Sequence, residues 1–210
     1  AALSSRCGSV VAPVRGRGSS RLSGCPQPQR PMAVTAMGPK RNADRELKVA
    51  SACSGMGTES FALKQMQVPH RLVLACEIQE TMREFLRRNH EPQTLLPDCT
   101  SRGFLRAGGG AELFVAGFPC QTFSDAGCNA GMEDPRGRVI ISLIKWLRTH
   151  QPHAFILENV QGLVRRHPKV FRAILRKLEG IVDVDTNKGC YRITWAIMNS
   201  RDHGVPQAPL

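Results

Sequence analysis

ELFVAGFPCQTFSD, residues 112–125, is the stretch on which the reading of the fold turns. It opens as a short apolar run, Leu113-Phe114-Val115-Ala116, breaks at Gly117 and Pro119, and presents Cys120 at the break. An apolar run of this length bounded by Gly and Pro reads as a buried strand ending in a loop. A cysteine just past such a strand is held by the sheet yet faces a crevice, where α/β proteins place ligands. The segment from Gln121 to Gly127 is polar and reads as a loop. Two readings of Cys120 stand side by side: a small apolar core residue, or a nucleophile.

Outward from this run, apolar segments alternate in type. Leu47–Ala52, Arg71–Cys76, Ala154–Leu157 and Tyr191–Met198 read as strands. Glu59–Met66, Gln79–Asn89, Arg138–Thr149 and Pro168–Leu178 read as helices, the last with Val170, Phe171, Ile174, Leu175 and Leu178 inward. Strands alternating with helices predict an α/β fold, a mostly parallel sheet with helices on both faces.

The 210 residues are enough for one domain with a real core. No apolar run approaches the roughly 18 residues that span a bilayer, so no membrane partner is expected. The net charge of +12 is uneven. Residues 1–43 hold no acid and seven bases, Arg6, Arg15, Arg17, Arg21, Arg30, Lys40 and Arg41, leaving +5 on the remainder. That excess is compatible with a polyanionic partner. Residues 1–45, rich in Arg, Ser, Gly and Pro, are expected to carry no fold, and residues 46–210 to form the domain. Such a leader reads as an organelle transit segment, as an extension ahead of a start at Met32 or Met37, or as a basic arm touching nucleic acid. The eight cysteines, Cys7, Cys25, Cys53, Cys76, Cys99, Cys120, Cys128 and Cys190, include no CxxC pair or zinc-like spacing. They read as reduced thiols of an intracellular protein, with no metal expected.

The first predicted strand runs into Ser54-Gly55-Met56-Gly57-Thr58, a turn whose backbone can approach a nucleotide-like ligand closely. Glu77 closes the second strand 20 residues beyond Gly57, where a carboxylate can accept from a ribose diol. The pair fits NAD(P) or S-adenosylmethionine. Ser60 stands where the third glycine of a dinucleotide fingerprint would be, which favours the latter. Asp98 reads equally as an adenine contact or as a turn residue after Pro97. Glu158 follows an apolar strand, where a carboxylate is paired or used. A thiolate and an acid at one sheet edge suit conjugate addition to an electron-poor ring. The bland alternative for Glu158 is a capping or salt-bridged carboxylate.

Taken together, these motifs resemble the catalytic domain of cytosine-5 DNA methyltransferases. The resemblance runs from about Leu47 to Gln207, with the motifs in family order. Ser54-Gly55-Met56-Gly57 matches the cofactor turn, Glu77 the ribose acid, Asp98 the adenine-side acid, Pro119-Cys120-Gln121 the catalytic tripeptide and Glu158-Asn159-Val160 the Glu-Asn-Val motif. It implies a Rossmann-like methyltransferase fold and S-adenosylmethionine as cofactor, with Ile78, Cys99, Pro119 and Val139 also on the cofactor side. It implies DNA as substrate, its cytosine flipped from the duplex. Cys120 would add to carbon 6, Glu158 would hold and protonate ring nitrogen 3, and Asn159 would hold the cysteine loop or the base. Carbon 5 would take the methyl group. The loop from Gln121 to Arg136 would close over the base. Gln121, Ser124, Arg136 and Gln207 would contact substrate.

Several positions depart from the family pattern. Cys53 stands where many members have Phe, and Ile78 where an aromatic is common. Pro209 stands where the arginine pattern after Gln207 would begin, so the chain reads as the front part of a catalytic domain. The alternatives are a tRNA methyltransferase of the same family, an inert cofactor- or partner-binding module, and a nucleotide-dependent oxidoreductase. A nuclear location is the expectation, with an organelle as the alternative if the leader is a transit segment.

Overall fold

The computed structural model describes residues 7–12, 45–119 and 137–203. Its frame is a sheet of seven strands: β1 (Cys7–Ala12), β2 (Leu47–Ala52), β3 (His70–Cys76), β4 (Leu95–Leu96), β5 (Leu113–Gly117), β6 (Ala154–Val160) and β7 (Thr194–Ile197), in the order β4-β3-β2-β5-β6-β1-β7. The five strands from β4 to β6 are mutually parallel. β1 lies antiparallel between β6 and β7. This is the Rossmann-like arrangement expected.

Helices link the parallel strands: α1 (Thr58–Gln65), α2 (Glu80–His90), α3 (Arg102–Arg106), α4 (Gly137–His150), α5 (Gln161–Arg165) and α6 (Pro168–Glu179). Side chains alternate across a strand, so each strand feeds two cores. Ala50, Ala52, Phe114, Ala116, Phe155 and Leu157 face the larger one, with Phe104, Trp146 and Phe171 from α3, α4 and α6. Val49, Leu72 and Ala75 face the smaller one, with Leu86 of α2 and Leu63 of α1 against it. A register shift between Val49 and Ala50 explains why consecutive Val73 and Leu74 both lie in the larger core. Trp146 anchors that core. It stacks on Phe114 at 4.5 Å between ring centroids and donates its Nε1–H to Ala107 O at 3.0 Å. No helix among the described residues is long and apolar enough to cross a membrane.

Element ends shift by a residue or so from the expected ones. Three differences are larger. Cys7–Ala12 is a strand, against the expectation that residues 1–45 carry no fold. Its β-branched Val10-Val11 pair suits a strand, and it covers the edge that β6 would otherwise leave bare. The last strand holds only Thr194–Ile197, all exposed, not Tyr191–Met198. Tyr191 instead tucks inward, donating its hydroxyl to Pro152 O at 2.8 Å with its ring edge-on to Phe155. Finally, β6 continues through Val160, so Glu158 lies within the strand and not beyond its end. Partners on both sides, β5 and β1, carry the ladder that far.

Candidate functional site

β2 has β3 on one side and β5 on the other, so the chain's crossovers leave it in opposite directions. The carboxyl ends of two such strands open a crevice, the usual ligand position in this architecture. Ser54–Gly57 follows β2 there, and Phe118-Pro119 follows β5.

The turn is tied down from several sides. Ser54 N donates to Cys76 O at 3.1 Å, and Ser54 Oγ accepts from Cys76 N at 3.2 Å. Gly55 N donates to Glu77 Oε2 at 2.8 Å, and Gln79 N to Glu77 Oε1 at 3.0 Å. Arg83 holds the next turn through the carbonyls of Glu77 (2.7 Å) and Ile78 (2.6 Å). Glu77 is buried, yet each carboxylate oxygen retains acceptor capacity beyond one backbone donor. Gly55 and Gly57 both take the left-handed conformation, at φ 51° and 71°. They differ in surroundings. A β-carbon on Gly55 would meet nothing within 4 Å, whereas one on Gly57 would lie 2.8 Å from His90 Cδ2. The first glycine therefore leaves room for a ligand, and the second leaves room for the protein. These features fit the adenosyl part of S-adenosylmethionine: open backbone at Gly55, an acceptor at Glu77, and an apolar side chain at Ile78 that is 78% exposed.

His90 was not foreseen from the sequence. Its Nε2–H donates to Met56 O at 2.9 Å, since a carbonyl can only accept, and its ring meets Phe61 edge-on at 4.6 Å. Burial pushes its imidazole below the ordinary range. The only sequence signal was a basic residue in the last turn of a helix.

On the β5 side, Gly117 pairs in register with Glu158. The place a β-carbon would take on Gly117 lies 3.1 Å from Glu158 Oε2, so glycine leaves that half-buried carboxylate its space. Asn159 is buried. It donates Nδ2–H to Phe118 O at 2.9 Å and accepts from Val160 N through Oδ1 at 2.9 Å. It thereby pins the backbone immediately ahead of Pro119 and Cys120. Phe118, whose carbonyl makes this link, is buried and was not singled out from the sequence.

The other expected residues fall in three groups. Ser54, Gly55, Met56, Gly57, Glu77 and Ile78 gather at the turn, and Pro119, Glu158 and Asn159 at the neighbouring strand ends. Asp98 is exposed and accepts from Thr100 N (2.7 Å) and Thr100 Oγ1 (2.8 Å), the arrangement of a turn aspartate. Cys99 is buried and Val139 half-buried, both within or against the larger core. Cys120, Gln121, Ser124, Arg136 and Gln207 lie outside the described residues. No cluster among the described residues could hold a metal ion.

Comparison with known proteins agrees with this geometry. Residues 47–208 match the family of C-5 cytosine-specific DNA methylases. The Type II methyltransferase M.NlaIV of Neisseria lactamica is 34% identical over 173 residues, covering 78% of this chain and 39% of that protein. M.HpaII of Haemophilus parainfluenzae is 42% identical over 97 residues, covering 46% of this chain and 25% of that protein. The chain thus spans about two-fifths or less of the length of these relatives. Among solved structures, the S. pombe Dnmt2 methyltransferase shares the fold, with a TM-score of 0.50, 24% identity, and coverage of 63% of this chain and 42% of that one. With the cofactor cradle, the Glu-Asn-Val strand and the family match in agreement, this chain belongs to the C-5 cytosine-specific DNA methylase family.

Proposed function

We propose that the protein takes part in methylation of carbon 5 of cytosine in DNA, with S-adenosylmethionine as methyl donor and Cys120 as nucleophile. One observation carries this reading: Glu158 and Asn159 sit side by side in β6, with Glu158 in register with Gly117 and Asn159 bonded to Phe118 O, directly ahead of Pro119-Cys120. A carboxylate and the backbone leading to a thiol are thereby held at one sheet edge, beside the Gly55–Glu77 cradle.

In this reading Glu77 accepts from the ribose hydroxyls, and the open side of Gly55 admits the cofactor backbone. Asp98, Cys99 and Val139 lie on the adenine side. When bound, S-adenosylmethionine supplies an electrophilic methyl group. Glu158 hydrogen-bonds ring nitrogen 3 and the exocyclic amine of a flipped cytosine and supplies a proton to nitrogen 3, which makes carbon 6 electrophilic. The Cys120 sulfur forms a bond to carbon 6. After carbon 5 has gained its substituent, the carbon 5 proton leaves, the carbon–sulfur bond breaks, and the thiolate departs with the ring aromatic again. Cysteine suits this step because it is nucleophilic near neutral pH and also a good leaving group. Gln121, Ser124, Arg136 and Gln207 contact the base or phosphates.

The test is covalent trapping. The chain and its Cys120→Ser variant are incubated with S-adenosylmethionine and a duplex containing 5-fluorocytosine, whose fluorine blocks departure from carbon 5. A denaturant-stable protein–DNA adduct with the parent alone is expected. No adduct despite intact cofactor binding would refute turnover by this chain and favour a cofactor-binding module. An adduct with tRNA in place of DNA would move the substrate to RNA.

A further inference from the structure

Three cysteines gather beside the cofactor turn. Cys53 follows β2, Cys76 ends β3 and Cys99 follows β4, so they come from the same end of three neighbouring parallel strands. Ala52 is the register partner of Cys76, and Cys76 of Leu96. Neighbouring strands lie about 4.8 Å apart, which brings side chains at their ends into contact. Cys76 and Cys99 are buried in the larger core, Cys53 packs against them half-buried, and none is in a disulfide. The sulfurs of Cys53 and Cys76 both lie within hydrogen-bonding reach of Cys99. Glu77 and Asp98, from the cofactor side, are close enough to repel negative charge on the set.

A lone buried cysteine is ordinary core packing. Three sulfurs sharing hydrogen bonds behave differently. Hydrogen bonding to Cys99, then burial, pushes the Cys53 and Cys76 thiols far up, while accepting from both draws Cys99 down. The set therefore gives up one proton and holds the other two. A thiolate in contact with a second thiol is the arrangement that turns peroxide oxidation into a disulfide. The backbone favours Cys53 as the second partner. Cys76 is 1% exposed and tied into the β3 ladder and to Ser54. Cys53 is half-buried, holds the left-handed conformation at φ 52° without being glycine, and leads straight into Ser54-Gly55.

We propose that Cys99 and Cys53 are a peroxide-responsive thiol pair whose disulfide closes the cofactor cradle; the second half of this rests on the S-adenosylmethionine reading above. The Cys99 thiolate attacks hydrogen peroxide, giving sulfenic acid and hydroxide. The Cys53 thiol then displaces the sulfenic oxygen, forming the sulfur–sulfur bond and releasing water. Two thiols are oxidised and one peroxide is reduced to two waters once the displaced proton is counted. Drawing Cys53 onto Cys99 moves the residue on which the turn is hung. It thereby disturbs the Gly55 N–Glu77 bond that shapes the cradle.

The full chain, fully reduced, is exposed to hydrogen peroxide. Its remaining thiols are blocked in denaturant, and its peptides are mapped by mass spectrometry. A Cys53–Cys99 cross-linked peptide is expected, reversed by dithiothreitol and absent from both Cys99→Ser and Cys53→Ala. S-adenosylmethionine affinity by calorimetry should fall by about tenfold or more on oxidation and return on reduction, within the usual range of coupling between sites. A Cys76–Cys99 bridge, or no bridge within the three, overturns the pair. A Cys53–Cys99 bridge with unchanged affinity overturns the closure. If the reduced chain binds no S-adenosylmethionine, the cofactor reading and with it the closure fall, while the peptide map still decides the pair.

Discussion

Replacing Asn159 by alanine strips both partners from two buried backbone groups. Phe118 O loses its donor at 2.9 Å, and Val160 N loses its acceptor at 2.9 Å. The side chain is 5% exposed, so the alanine leaves a space too enclosed for solvent to repair both bonds. An unsatisfied buried group costs about 1–3 kcal/mol, so the expected loss is about 2–4 kcal/mol. In a domain of this size that lowers the melting temperature by roughly 5–15 °C. Asn159→Asp separates the two bonds. A carboxylate still accepts from Val160 N but faces Phe118 O with no hydrogen. At neutral pH this variant should be at least as unstable as the alanine one. Its new carboxyl would have a pKa raised by burial and by that carbonyl. Its stability relative to the alanine variant should therefore be highest below about pH 4, where the acid can donate, and should decline as pH rises through the raised value. Urea unfolding followed by the fluorescence of Trp146 and Trp195 measures all three proteins. A loss below about 0.5 kcal/mol for Asn159→Ala would refute the reasoning, because it would mean that the two backbone groups are satisfied without Asn159.

The two glycines of the turn should answer differently. Gly57→Ala combines a left-handed alanine, about 1–2 kcal/mol, with displacement of His90, and should lower the melting temperature clearly; a wild-type melting curve would refute the close contact. Gly55→Ala meets the conformational cost alone, so S-adenosylmethionine affinity by calorimetry should suffer more than stability does. Glu77→Gln exchanges one acceptor oxygen for an amide that repels the Gly55 or Gln79 N–H, and cofactor affinity should fall about tenfold or more. For His90, a pKa lowered in the fold means that the unfolded chain binds more protons between the two values, so this contribution to stability is present above the unfolded value near 6.5 and is lost as pH falls through the folded one. The melting temperature should decline between pH 7.5 and 5, and His90→Gln should flatten part of that slope.

The parallel core was legible because its strands are short, apolar and punctuated by Gly or Pro. Leu113–Gly117 is bounded this way, and Leu47–Ala52 runs into a Gly turn. The cofactor turn and the Glu-Asn-Val strand were legible for another reason, namely that their chemistry fixes residue type at fixed spacing. Cys7–Ala12 was hidden, since its Val10-Val11 core sits in an Arg- and Ser-rich leader and the partner that makes it a strand lies about 150 residues away. Leu95–Leu96 and Arg102–Arg106 are too short for any period to be read from them. His90 and Phe118 act through a backbone carbonyl, one by donating to it and one by offering it. Contacts of that kind leave no preference in the residue string.

The antiparallel strand at the start of the chain also sets an order of assembly. Cys7 pairs with Val160 and Ala12 with Phe155, so the first strand to be synthesised cannot find its place until nearly the last parallel strand has been made. β7 can dock only on β1, which delays that edge further. The ribosome therefore releases a half-sheet, β2 to β5, that can condense on its own helices while the amino-terminal strand waits. Joining β1 to β6 closes a loop of about 150 residues, the most remote contact in the sheet. Refolding of the intact chain should accordingly show a slow late step, and removing residues 1–12 should abolish that step without slowing the fast collapse that precedes it.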